Sequence, residues 1–162
     1  MLLLDVVGEH RTGQCLRYRV LRLAVVKIGH FVTPPLEFGA RNVGVGALVD
    51  HVVDLAAEAL NERSRALKGA KVGVLGVAFK PNVGDARESP AAEILAGLRE
   101  RGAVVRFHDP HVPRFRDAAG TVDDSRPLAD LLRWADLVVV VTAHRAIDLD
   151  AVYAGADLVL DT

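Results

Sequence analysis

Two cations in one polar stretch have a setting suited to chemistry. Lys80 and Arg87 lie in a loop rich in Gly, Pro, Asn and Asp that follows a short apolar run at 72–77. Ser89-Pro90 then opens a periodic segment at 91–101. Ser accepts from orphan N–H groups at an N-cap, and Pro at the first helical position sacrifices no donor. A strand, a polar loop and a helix in that order place loop side chains at the carboxyl end of a sheet, beside a helix N-terminus where anions bind well. The chemistry on offer is therefore recognition of a phosphate or another anion. The plain alternative is that both cations are solvated loop charges. Glu88 and Ser89 read as structural, Glu88 as a first-turn acid and Ser89 as the cap. Asp85 is a ligand contact or, by preference, a turn former.

Other candidates are weaker. Asp109 stands after a second strand, where dinucleotide-binding folds carry a ribose-binding acid. The first loop lacks Gly-x-Gly-x-x-Gly, so Asp109-Pro110 reads as a turn former. His108, His111 and His144 fall on different loops without paired spacing and read as scattered loop histidines, with no metal site. No Ser-His-Asp order or nucleophile elbow is present.

The elements that must position these residues follow from periodicity. Residues 47–67 read as a helix in which Leu48, Val52, Leu55, Ala56, Ala59 and Leu60 share one face, with Lys68-Gly69 as its stop. That face is covered either by the chain's own sheet or by a second copy. Residues 72–77 form the first strand, 90–101 a helix and 104–108 a strand. Residues 114–120 read as a short helix and 121–126 as polar loop. A helix follows at 127–134, then a strand at 137–142 buried on both faces. A short helix at 148–153 and a last strand at 157–160 end the pattern. Alternation of this kind predicts an α/β, Rossmann-like, three-layer parallel sheet preceded by a long connecting helix. The organisation expected is an unassigned segment 1–35, a connecting or dimerisation helix in 36–69, and an α/β domain in 70–162. Thr33-Pro34-Pro35 marks the first boundary.

Composition narrows the class. The 162 residues are 51% hydrophobic and 25% charged, as in globular domains. A net charge of −1 gives no basic field for nucleic acid. Residues 1–35 are locally basic, with five Lys/Arg against two Asp/Glu, and read as a solvated face. One cysteine, Cys15, excludes an intrachain disulfide framework and fits a cytoplasmic protein. No apolar run reaches the ~18–20 residues of a membrane span, and Asp5 and Glu9 interrupt the apolar start of the chain.

The loop also carries a family likeness. Gly76, Ala78, Phe79, Lys80, Pro81, Asp85, Arg87, Glu88, Ser89 and Pro90 stand in the order and spacing of a known motif, Gly-x-(Ala/Cys)-(Phe/Tyr)-Lys followed by Asp-x-Arg-Glu-Ser. On these residues the chain resembles the C-terminal, UDP-binding domain of the UDP-glucose/GDP-mannose dehydrogenase family, over residues 47–162. Glu88-Ser89-Pro90-Ala91 and the later His108-Asp109-Pro110 are most similar to the branch acting on UDP-N-acetylhexosamines.

The resemblance implies that Lys80 contacts a UDP-sugar and that Phe79 lines the same site, although Phe79 could equally be core. It implies that Arg87 reaches an NAD held by another domain, and that the reaction is an NAD-dependent oxidation of a UDP-sugar to a UDP-uronic acid through a thiol-bound intermediate. Family members carry a Gly-Gly-x-Cys loop. Cys15 sits in Thr-Gly-Gln-Cys-Leu-Arg and is not assigned as that nucleophile, so no catalytic residue is assigned. The expectation is a truncated or misread relative, catalytically incomplete, that binds the UDP moiety and forms a homodimer through helix 47–67. The alternative is a dimerisation or interaction module without retained ligand binding.

Overall fold

The computed structural model describes residues 16–19 and 45–162. Readings placed on Cys15, on the Thr33-Pro34-Pro35 boundary and on residues 36–44 lie outside the described residues. The elements are β1 (Leu16–Arg19), α1 (Val45–Glu62), β2 (Lys71–Leu75), α2 (Ala91–Glu100), β3 (Val104–His108), β4 (Arg114–Arg116), β5 (Val122–Asp124), α3 (Leu128–Trp134), β6 (Leu137–Val140), α4 (Leu149–Gly155) and β7 (Leu158–Asp161).

Five strands form one parallel sheet in the order β1-β7-β6-β2-β3. The expected α/β, three-layer arrangement is present. Strand side chains alternate between two faces, as the pleat demands. Val72 and Val74 of β2, Leu137 and Val139 of β6, and Leu158 and Leu160 of β7 pack with α1 and α2. Leu75, Val138, Val140 and Val159 pack on the opposite face with Leu131 of α3 and Val152 of α4. Every residue of β6 is buried, which accounts for its unbroken run of Leu and Val. β1 lies beside β7, so part of the segment read as unassigned adds an edge strand to the domain.

The sequence left two possible covers for the apolar face of α1. The chain supplies its own. Val49, Val52, Val53, Ala56, Ala59 and Leu60 are buried against α2 and the sheet.

Two local expectations are corrected. The first helix ends at Glu62, not near Lys68-Gly69. Ser64 adopts the left-handed conformation at φ 57°. The Ser64 N–H then donates to the Asn61 carbonyl at 2.8 Å and the Arg65 N–H to the Leu60 carbonyl at 3.0 Å. This is a Schellman closure with serine where glycine is usual. Residues 114–116 are not helical. They form β4, paired antiparallel with β5. Alternation in Arg114-Phe115-Arg116 buries Phe115 edge-on to Phe107, with ring centroids 6.0 Å apart. Arg99 of α2 ties this ribbon to the domain through Asp117 and Asp123. The start of α2 is as expected: Pro90 already has helical dihedrals, and the Ser89 Oγ accepts the Ala91 N–H at 3.3 Å. Ser89 thus does the capping expected of it, through a long hydrogen bond.

Candidate functional site

The strand order reverses between β2 and β6. From β2 the chain crosses to β3 on one side, then returns to place β6 on the other. The crevice outside the carboxyl ends of two such strands is the usual ligand position in open α/β sheets. The loops that meet there are 76–90 after β2, 109–113 after β3 and 141–148 after β6.

The first loop leaves the sheet through Gly76, at φ 75°. A Cβ there would stand 2.0 Å from the Thr142 carbonyl oxygen, so glycine is required by both conformation and space. The Gly76 N–H donates to the His108 carbonyl at 2.9 Å. The Thr142 hydroxyl donates to the Ala78 carbonyl at 2.7 Å. The β2 and β6 loops are therefore in direct contact along their first residues.

Asp109 gathers all three loops. Its Oδ2 accepts from the Val77 and Ala78 N–H groups at 2.8 and 3.1 Å. Its Oδ1 accepts from His111 and Val112 at 2.8 and 3.1 Å. The His144 Nε2 lies 3.1 Å from Oδ2. Asp109 does turn its own chain, as the sequence suggested, and it also fixes the start of the loop after β2, thirty-two residues earlier. His144 is buried, and the ring of His111 lies tilted against it with centroids 4.9 Å apart. These two histidines are brought together, while the His108 Nδ1 contacts the Arg126 carbonyl at 2.7 Å. Among the described residues no group of three or more His, Cys, Asp or Glu side chains is arranged to hold a metal.

Phe79 is half-buried at the start of the polar loop, and its N–H donates to the Asp85 carbonyl at 2.8 Å. Lys80 is exposed, with its ammonium 5.5 Å from the Phe79 ring centroid. Arg87 is exposed as well. Its guanidinium clasps the Asp85 carboxylate through two hydrogen bonds of 2.9 Å, and its own N–H donates to the same group at 3.1 Å. Asp85 is thus the turn former its position suggested. Beside this loop an open depression of about 560 Å3 runs along 143–150, lined among others by Ala143, Arg145, Ile147 and Asp148. Lys80 and Arg87 share the β2 loop, and the depression is lined by the β6 loop and the start of α4.

The Arg87 side chain, then its backbone N–H and the nearby Lys80 charge, hold the Asp85 carboxyl down to about 2. A carboxyl depressed in the folded state contributes above its unfolded value of ~3.9 and loses that contribution as pH falls through the folded value. The Asp85–Arg87 clasp should therefore persist to about pH 3 and open only near pH 2. Carbon-detected NMR titration of the Asp85 side chain checks this. A midpoint near the ordinary ~3.9 would show that the clasp does not form in solution.

Sequence reasoning missed Asp109 as an organiser, His144 as a buried partner and Asn82 as a bridge. The available signal was positional: Asp109 and His144 follow the carboxyl ends of the two strands that flank β2.

Comparison with known proteins shows what the chain is similar to. The family model described as "UDP-glucose/GDP-mannose dehydrogenase family, UDP binding domain" matches residues 73–162. UDP-glucose 6-dehydrogenase of Rhizobium meliloti is 35% identical over 88 residues, which are 52% of this chain and 20% of that protein. UDP-N-acetyl-D-mannosamine dehydrogenase of Methanococcus maripaludis is 35% identical over 74 residues, which are 46% of this chain and 16% of that protein. The chain thus spans about a fifth of the length of these curated relatives. The solved NDP-N-acetyl-D-galactosaminuronic acid dehydrogenase of Methanosarcina mazei superposes with a TM-score of 0.59 at 29% identity, covering 81% of this chain and 28% of that one.

Proposed function

The chain belongs to the UDP-glucose/GDP-mannose dehydrogenase family through its UDP binding domain, and from that premise we propose that residues 70–162 hold the UDP moiety of a nucleotide sugar undergoing oxidation at its sugar hydroxymethyl group. The observation that supports this reading is that Lys80 and Phe79, in contact with each other, stand in the loop that follows β2, the strand at which the sheet order reverses. An exposed ammonium on a loop tied to its neighbours by hydrogen bonds suits the diphosphate or ribose of such a ligand. The N-acetylhexosamine branch is the preferred substrate class, on the strength of Glu88-Ser89-Pro90-Ala91 and His108-Asp109-Pro110.

NAD belongs to the same reading as the oxidant of the whole enzyme. The described residues do not fit a dinucleotide site of their own. The β2 loop lacks the glycine fingerprint, and both oxygens of Asp109 are already occupied by backbone N–H groups. Arg87 is the group offered toward a cofactor held by another domain, and it would meet that cofactor with Asp85 in its grasp or after releasing it. The described domain's own part is to bind and orient substrate. A cytoplasmic location goes with this reading, supported by the lone cysteine. Among the described residues no helix is long and apolar enough to cross a membrane.

A homodimer built on α1 would have to use its polar side, where His51 and Glu58 are exposed, because the apolar face is covered within the chain. This weighs against the interaction module as the primary role.

Calorimetric titration of UDP, and then of a UDP-N-acetylhexosamine, tests the proposal. Saturable binding is expected. Lys80→Ala should weaken it by about ten-fold or more, as loss of a charge-assisted contact does. Stability should stay close to that of the parent, since Lys80 is exposed. A folded chain that ignores UDP, or a Lys80→Ala variant that binds as the parent does, overturns the assignment.

A further inference from the structure

The tip of the loop that carries Lys80 has no apolar footing of its own, although Val77, Ala78 and Ala86 on either side of it pack on the core. Residues 80–85 are all exposed, and even Val83 is 43% exposed. What places the tip is therefore polar contact, and the more buried of the two side-chain contacts to Asn82 is the one to His144. Its Nδ1 accepts the Asn82 backbone N–H at 2.9 Å. A ring nitrogen that accepts carries no proton, so the hydrogen-bond network assigns the ring proton to Nε2, facing Asp109. Asn82 is held in the left-handed region at φ 63°, and its Oδ1 accepts the Arg145 N–H at 2.8 Å. His144 and Arg145 thus grip one residue of the β2 loop from the β6 side, two positions from Lys80. Asp109 holds the ring at its other nitrogen, and Asp109 is itself fixed by four backbone N–H groups.

We propose that His144 is a positioning residue for the nucleotide site. Its Nδ1, presented by Asp109, fixes the Lys80 loop across the crevice. This rests on the reading that Lys80 meets UDP. It adds that the loop is set before ligand arrives, by an imidazole that itself touches no substrate. A left-handed Asn would otherwise be one of several backbone choices open to an exposed loop. The Asn82 bond selects that one.

The two ring nitrogens can be separated by substitution. In H144N the side-chain carbonyl takes the place of Nδ1 and can accept from Asn82. In H144Q the longer amide reaches the place of Nε2 and can serve Asp109, leaving the Asn82 N–H without its acceptor. H144N should bind UDP within about three-fold of the parent, and H144Q about ten-fold or more weakly, at similar unfolding midpoints. A purely structural histidine would instead make affinity follow stability in both variants. Equal affinities, or the reverse order, overturn the proposal.

Amide hydrogen exchange at Asn82, measured without ligand, separates this inference from the functional reading. Protection retained in H144N and lost in H144Q supports the positioning role even if UDP does not bind. Equal exchange in the two overturns it. Should neither variant fold, nitrogen NMR of His144 in the parent protein decides: an unprotonated Nδ1 supports the proposal, and a protonated Nδ1 overturns it.

Discussion

Gly76→Ala should destabilise the domain by about 2–5 kcal/mol, from a left-handed residue at ~1–2 kcal/mol and overpacking at ~1–3 kcal/mol. At φ 75° an alanine is conformationally strained, and its Cβ would stand 2.0 Å from the Thr142 carbonyl oxygen. The obstacle is backbone, not a side chain that can rotate away. Relief therefore requires the β2 and β6 loops to separate, which also strains the Thr142 hydroxyl bond to Ala78. Domain stabilities are typically about 5–15 kcal/mol, so this single methyl group removes a large share. Gly69→Ala supplies the control. Gly69 has φ 84°, and nothing lies within 4 Å of where an added methyl group would stand, so its substitution should cost only the ~1–2 kcal/mol of backbone strain. Urea unfolding of both variants, with the slopes compared, measures the difference. Equal costs at the two sites would mean that the Thr142 contact has no energetic weight.

The contrast between Gly76 and its surroundings shows what a sequence makes legible. Val138, Val139 and Val140 announce a strand buried on both faces because burial acts on each residue separately. The βα alternation, the Ser89 cap and the Asp85 turn are likewise local, and they suffice to place the loop bearing Lys80 and Arg87. The end of α1 is not legible. Ser64 takes a conformation that serine seldom adopts, and Gly69, the conspicuous stop signal, lies beyond the true end. The β4–β5 ribbon is hidden as well, because only a three-residue alternation, the one that buries Phe115, signals it.

The site itself is half legible for a related reason. Its cations advertise themselves by type and setting. The distant groups that hold their loop do not. Asp109 bonds to Val77 thirty-two residues away, and His144 to Asn82 sixty-two residues away. No local window contains either pair. Their meeting is a consequence of strand order, which brings three loop starts to one end of the sheet.

That consequence gives Asp109→Asn the second large expected effect. As a plain turn former, aspartate could be exchanged for asparagine at little cost, since both favour turns. The Asp109 side chain is instead wholly buried and acceptor-only, taking four backbone N–H groups and facing the His144 Nε2. An amide must turn its NH2 toward one of the two oxygen positions. At the Oδ2 position it would face the Val77 and Ala78 N–H groups, and at the Oδ1 position those of His111 and Val112. Either choice sets donors against donors. Each buried donor left without an acceptor costs ~1–3 kcal/mol, so a loss of about 3–5 kcal/mol is expected. Asp85→Asn is the matching exposed control and should leave stability nearly unchanged. A double-mutant cycle with H144N then tests whether the two buried groups act as one unit. A coupling of about 0.5 kcal/mol or more is expected for residues in one hydrogen-bond network. An Asp109→Asn variant as stable as Asp85→Asn would reduce Asp109 to the turn former its sequence neighbourhood suggested. It would also leave His144 without the support that holds its Nδ1 toward the Lys80 loop.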